Sequence, residues 1–136
     1  MQLSVLIPVF NEERYVTEVL DRVLSVDLSP LGVEREILLV DDCSTDGTLA
    51  QLESYARRDE IRVFHHDRNQ GKGAALRTAV ESAQGDVFLV QDADFEYDPN
   101  EYPKLLSPIL EGKADVVYGS RFAGGEPHRV LYFWHY

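Results

Sequence analysis

Cysteine occurs once, at Cys43, so no disulfide can form within the chain and a cysteine-rich metal site is excluded. A lone thiol suits a reducing compartment. Positive charge is also scarce: 13 Lys and Arg face 24 Asp and Glu, a formal net charge of −11. That balance argues against a general nucleic-acid binder, which needs a basic face for the phosphate backbone. It still admits an anionic small ligand, because a metal and a few local Lys or Arg reverse the potential inside one cleft. Long apolar runs are missing, and no stretch reaches the roughly 18 apolar residues of a membrane span. The opening MQLSVLIPVFNEE has no basic leader, and its apolar run is strand-length, so it reads as a strand and not as a signal peptide. Internal repeats, low-complexity segments and linkers are absent as well.

What is present is the composition of an ordinary globular domain, 136 residues with 44% hydrophobic and 27% charged side chains. One domain over 1–136 is expected. Short β-rich runs alternate with helical spacing: LSVLIPV (3–9), then Val16, Val19, Leu20, Val23 and Leu24 on one face of a helix over 12–26, ended by Pro30 and Gly32. EILLV (36–40), IRVFHH (61–66), DVFLV (86–90) and ADVVYG (114–119) read as further strands. Helices are expected over 45–58 with Ser44 or Thr45 near the cap, over 73–83 after Gly71 and Gly73, and over 99–112 from Pro99. Apolar strands alternating with helices predict an α/β fold, a mainly parallel sheet with helices on both faces. The closing run VLYFWHY would leave an aromatic patch bare, so the sequence is read as cut from a longer chain.

Ligands of such sheets bind beyond the carboxyl ends of the strands. The segments there are PVFNEE, DDCSTDGT, HDRNQGKG, QDADFEYDP and GSRFAGG, all rich in polar, glycine or charged residues. In QDADFEYDP the alternation puts Asp92, Asp94 and Glu96 on one side of an extended segment. Oxygen ligands of this kind suit Mg²⁺ or Mn²⁺, held by one or two carboxylates and completed by water and phosphate oxygens. Asp, Pro and Asn are also turn formers, so spacing alone leaves a solvated turn open. Asp98 precedes Pro99 and is expected to cap the helix that follows.

Asp41 and Asp42 end the second strand, where acids accept hydrogen bonds from a base or ribose in nucleotide folds; Asp46 is expected in the next helix cap. NQGKGAALR supplies positive charge and backbone access: two glycines, a helix N-terminus and Lys72 can meet an anion. The GxxxxGK[ST] spacing of a P-loop is absent. Arg121 in YGSRF is a second candidate anion clamp. His65 and His66 read as strand-end residues and not as ligands, and Glu13 and Cys43 receive no role. Together these pieces suit a nucleotide diphosphate compound.

PVFNEE, VDDCSTDGT, NQGKGAALR, QDADFEYDP and GSRF, in that order, resemble family 2 glycosyltransferases over essentially the whole chain, in particular the dolichol-phosphate-mannose-synthase-like branch and its polyprenyl-phosphate sugar transferase relatives. The resemblance implies the GT-A fold, a Rossmann-like three-layer α/β/α arrangement, here C-terminally shortened. It implies a nucleotide diphosphate sugar donor of the GDP-mannose or UDP-glucose type, Mg²⁺ or Mn²⁺, and inversion at the anomeric carbon. By position, Pro8, Phe10 and Glu12 would line the nucleotide pocket, and Val40 and Asp42 would flank the base. Asp92, Ala93 and Asp94 would meet the ribose, diphosphate and metal. Glu96 stands where many relatives have glutamine and would be a further metal ligand. Lys72 would screen phosphate, and Arg121 would meet the phosphate of acceptor or donor; Asp94 and Arg121 carry the catalytic assignment.

The expected acceptor is a lipid phosphate, which would bring the protein to the cytoplasmic face of a membrane, with VLYFWHY as a candidate interfacial start. A saccharide hydroxyl is the alternative acceptor and would need a carboxylate base. A receiver-like signalling module, suggested by ILLVDD, conflicts with the strand and helix that precede it. The donor half of the site is expected here and much of the acceptor half is not.

Overall fold

A computed structural model describes residues 1–94, 97–119 and 133–135. Its sheet runs in the order β3-β2-β1-β4-β5. The strands are β1 (Gln2–Val9), β2 (Glu34–Asp41), β3 (Ile61–His65), β4 (Val87–Val90) and β5 (Phe133–His135). β1 pairs in parallel with both β2 and β4, from Gln2↔Glu34 to Val9↔Asp41 on one side and from Leu3↔Val87 to Leu6↔Val90 on the other. β3 extends the parallel set beyond β2, and β5 closes the far edge antiparallel to β4.

Helices α1 (Val16–Ser25), α2 (Thr48–Tyr55) and α4 (Tyr102–Leu110) contribute to one apolar layer, and α3 (Lys72–Ser82) to the other. The handedness of parallel crossovers requires α1 and α2 on one face and α3 on the other. The chain steps outward from β1 to β2 to β3, then returns across the sheet through α3 to β4, so α3 must cover the opposite face. Alternate strand residues follow: Leu3, Val5, Ile7, Ile37 and Leu39 join the α1 layer, whereas Leu6, Leu38, Val40 and Phe88 join Ala75 and Ala79 of α3. Burying one such side chain contributes about 1.5–3 kcal/mol, against about 0.5–1.5 kcal/mol net for a hydrogen bond. The faces therefore hold the fold, and the polar contacts select loop shapes upon it.

Helix α1 begins at Val16, after a turn closed by Tyr15 N and Val16 N donating to Glu12 O, later than the expected 12. Its end carbonyls are satisfied by Arg35, whose guanidinium donates to Val23 O, Leu24 O and Val26 O at 2.7–2.8 Å. The expected helix over 99–112 divides into a 3-10 turn, Pro99–Glu101, and α4; Asp98 accepts from Asn100 N at 3.0 Å, the capping role expected of it. The expected strand over 114–119 does not form. Past Gly112, with φ at 72°, the chain makes only an isolated bridge at Tyr118, and Val116 and Tyr118 stay exposed. The described fifth strand is β5.

At the amino ends of the strands the α3 layer turns polar. Glu36 Oε1 accepts from Ser4 Oγ at 2.5 Å, Gln84 N at 2.6 Å and Gly85 N at 3.1 Å, while Oε2 accepts from Arg62 at 2.7 Å. Arg62 also donates to Ser82 O at the end of α3. Burial alone would push the Glu36 carboxyl up, but the Ser4, Gln84 and Arg62 bonds outweigh it and hold it below the ordinary range. A depressed carboxyl stabilises the fold at neutral pH and loses that contribution as pH falls through its own range. Glu36→Gln is expected to cost about 1–3 kcal/mol in urea unfolding at pH 7, with the gap to wild type shrinking below about pH 4. A gap that stays constant down to pH 3 would contradict this account.

Candidate functional site

The cleft opens where the β1–β4 ladder is forced to stop. Gln91 N donates to Leu6 O at 3.0 Å, and Leu6↔Val90 is the last register pair. Backbone groups of alternate residues face the same neighbour, so the next donor toward β4 would be the nitrogen of Pro8, which carries no hydrogen. β1 and β4 are also where the connections reverse direction across the sheet, the point at which such folds leave a crevice. The cavity there, about 460 Å³, is lined by Pro8 near the end of β1, Phe10 and Glu12 after it, Asp42 after β2, Asn69, Gly71 and Lys72 at the start of α3, and Asp92, Ala93 and Asp94 after β4.

The acidic wall is supported from below. Tyr102, fully buried, donates its hydroxyl to Gln91 Oε1 at 2.7 Å, and Gln91 Nε2 donates to Asp92 O at 3.1 Å. Burial pushes the Tyr102 hydroxyl well above its ordinary range, so it stays a donor. Lys72 Nζ lies 2.6 Å from Asp92 Oδ1. Glu12 is pushed up, first by burial and then by the negative charges of Asp94, Asp46 and Asp92. Carboxylates this close repel one another, and a cation among them would relieve that repulsion. No group of three or more His, Cys, Asp and Glu among the described residues forms a protein-only cage. Asp92 and Asp94 are the carboxylates of the lining that could hold a hard divalent cation such as Mg²⁺ or Mn²⁺, with phosphate oxygens completing its shell.

The loops after β1 and β2, which bring Phe10, Glu12 and Asp42 to the lining, are tied to one another. Asn11 N donates to Ser44 Oγ, Thr45 N to Asn11 Oδ1, Glu12 N to Thr48 Oγ1 and Gly47 N to Glu13 Oε2, all at 2.8–3.0 Å. A Cβ on Gly47 would lie 2.7 Å from that Glu13 oxygen, so a larger residue there would push the Glu13 carboxylate aside. Asp46 accepts from Thr48 N and Oγ1 in the turn before α2, one residue ahead of Gly47, which is the cap residue itself. Asp42 Oδ1 accepts from Gln70 N and from the His66 ring, both at 2.9 Å, and Oδ2 accepts from Gly71 N at 2.8 Å.

Pro8, Phe10, Glu12, Asp42, Lys72, Asp92, Ala93 and Asp94, separated by up to 86 positions in the chain (94 − 8), thus line one cavity. Val40 does not reach it: its side chain is fully buried against α3, in the apolar layer of Ala75. The backbone amide of Gly71, expected to face an anion, is turned to Asp42 instead. Glu96 and Arg121 lie outside the described residues. Sequence reasoning missed Asn69 as a lining residue, the Tyr102–Gln91 support and the partnership of His66 with Asp42. Only the HH pair next in line with the DD pair hinted at the last.

The family model described as Glycosyl transferase family 2 matches residues 4–132. The chain is 34% identical to a dolichol-phosphate mannosyltransferase of Pyrococcus furiosus, over 92% of this chain and 34% of that protein. It is 32% identical to a dodecaprenyl-phosphate galacturonate synthase of Rhizobium johnstonii, over 89% of this chain and 36% of the relative. The fold resembles the crystal structure of S. aureus TarS 1–349 in complex with UDP-GlcNAc, with TM-score 0.70 and 32% identity, over 85% of this chain and 33% of that one. The chain therefore spans about a third of the length of the relatives it matches.

Tyr102→Phe removes the donor beneath Gln91 while keeping the ring in the core. It is expected to cost about 1–2 kcal/mol in urea unfolding and to speed amide exchange in residues 91–94. Unchanged exchange there would show that the acidic wall does not depend on this bond.

Proposed function

Because the chain belongs to glycosyl transferase family 2 and has the GT-A fold, we propose that it forms the donor half of an enzyme transferring a sugar from a nucleotide diphosphate to a polyprenyl phosphate. The observation that carries this reading is the single cleft lined by aromatic Phe10, cationic Lys72 and the carboxylates Asp92 and Asp94. Phe10 is 44% exposed at the cavity, which suits stacking on a base. Asp92 and Asp94 would hold Mg²⁺ or Mn²⁺, which when bound neutralises the negative charge that develops on the departing diphosphate. Lys72, already 2.6 Å from Asp92, would share that task from the α3 side.

The acceptor class is suggested by the names of the relatives, which pair different sugars with a lipid phosphate. An oxygen of that phosphate would bond to the anomeric carbon as the carbon–oxygen bond to the diphosphate breaks. The electron pair leaves on the nucleoside diphosphate, and in-line attack inverts the carbon. A phosphate is already anionic near neutral pH and presents a charged oxygen to the anomeric carbon, so this chemistry needs no strong general base in the cleft. Arg121, one residue past the Gly119–Ser120 step, is the candidate clamp for a phosphate. A bilayer-held acceptor would bring the protein to a membrane surface, on the cytoplasmic side where the donor is present. No helix among the described residues is long and apolar enough to cross a membrane.

Calorimetry with UDP-glucose and GDP-mannose in Mn²⁺ tests the donor site. One donor is expected to bind, and Asp94→Ala should weaken it by about 100-fold or more, since it removes a metal ligand outright. Equal affinity in the variant would sink the assignment of Asp94 to the metal.

A further inference from the structure

We infer that His66 is a positioning residue for the donor site: it holds Asp42 in the orientation that receives the Gln70 and Gly71 amides, and thereby sets where Lys72 stands. The inference rests on the donor-binding reading above and concerns a residue outside the cavity lining. His66 follows β3 and is buried at 8% exposure. Its backbone N donates to Asp41 O at 2.9 Å, so the residue is fastened to β2 before its side chain acts. Both ring nitrogens are engaged: Nδ1 lies 2.9 Å from Asp42 Oδ1, and Nε2 lies 2.7 Å from Thr78 Oγ1 in α3.

The hydrogen count gives this arrangement one direction. Burial would raise the Asp42 carboxyl, but the Gln70 amide, the His66 ring and the Gly71 amide outweigh it and hold it below its ordinary range. An ionised carboxylate only accepts, so Nδ1 of His66 carries a hydrogen. The Thr78 hydroxyl has one hydrogen and two acceptors within reach, Nε2 and Ala74 O at 3.1 Å. It turns toward Nε2 when the ring is neutral and toward Ala74 O when the ring is charged. In both states Nδ1–H remains on Asp42. Thr78 is thus an anchor that keeps the ring pointed at the carboxylate.

Asp42 in turn gathers the loop. Its backbone N donates to Val9 O at 2.8 Å, its carbonyl accepts from Asn69 Nδ2 at 3.3 Å, and its carboxylate takes the next two backbone amides. Gly71 sits at φ 93°, a conformation that leads directly into α3 and that a side chain would strain. Releasing the carboxylate frees this turn, and Lys72 is the residue after it. A histidine that only filled space would be replaceable by an apolar side chain of similar bulk.

The test compares His66→Leu, His66→Asn and Thr78→Val in the full chain, below the melting temperature of each. Amide exchange at Gln70 and Gly71 is read alongside UDP and GDP affinity in Mn²⁺. His66→Leu is expected to speed exchange at both amides and to weaken the preferred diphosphate by about 10- to 100-fold, the scale of one lost charge-assisted hydrogen bond. Asparagine places an NH₂ where Nδ1–H stood, so His66→Asn should recover both readouts to within about threefold. Thr78→Val, which keeps the ring and removes its anchor, should move both in the same direction and keeps the idea testable if His66→Leu does not fold. Equal losses in the Leu and Asn variants, or unchanged exchange at Gln70 and Gly71 in Leu and Val variants, overturn the inference. Exchange that follows the variants in a protein binding neither diphosphate supports the positioning of the loop and overturns the donor-site reading instead.

Discussion

Strand β1 lies between two parallel partners and is the constraint on which the rest depends. A strand paired on both edges and covered on both faces must be apolar almost throughout, and Leu3, Val5, Leu6, Ile7 and Val9 are buried. Because β2 and β4 flank it, the chain must cross the sheet in opposite directions, which puts α3 on the face opposite α1 and α2. The same position makes Pro8 consequential. One missing N–H in an edge strand would pass unnoticed; in the central strand it ends a ladder and leaves room for a ligand.

The acids of this protein sort into two kinds by what surrounds them. Glu36 and Asp42 are buried and receive backbone and side-chain donors that hold their carboxyls low, one at each end of the α3 layer. Their charge is spent on the fold. Glu12 is pushed the other way, by burial and by Asp94, Asp46 and Asp92, because the cleft gathers negative charge faster than it supplies donors. That imbalance is what a divalent cation and a diphosphate would correct, and it separates the acids that shape the site from those that would do its chemistry.

Much of this was legible in order along the chain. The runs LSVLIPV, EILLV and DVFLV fell within or close to β1, β2 and β4, since uninterrupted apolar residues of that length fit a covered parallel sheet. ADVVYG carries a similar pattern but makes only an isolated bridge at Tyr118; among the described residues the segment that pairs with the outer edge of β4 is Phe133–His135. The grouping of four strand-end segments, those holding Phe10, Asp42, Lys72 and Asp92, at one cavity followed from the sheet rule, whereas GSRFAGG past Gly119 lies outside the described residues. The roles within it did not all follow: Asp42 was expected to face a ligand and is largely occupied by Gln70, Gly71 and His66. Val40, expected beside the base, is sealed beneath α3.

The sequence by itself determined the alternation of elements, the end of the sheet at which the cleft opens and the acidic character of the segment after β4. These depend on local pattern: apolar spacing, turn residues and the parity of Asp92 and Asp94. Tertiary structure alone decided which acids are buried under donors from the protein, as Asp42 is, and which are gathered at the cleft, as Glu12, Asp92 and Asp94 are. Hydrogen-bond donors reach a carboxylate from residues distant in sequence, as Gln70, Gly71 and His66 reach Asp42 across 24 to 29 positions. A string of residues shows that a charge exists; only the packed chain shows whether its partners have already been supplied.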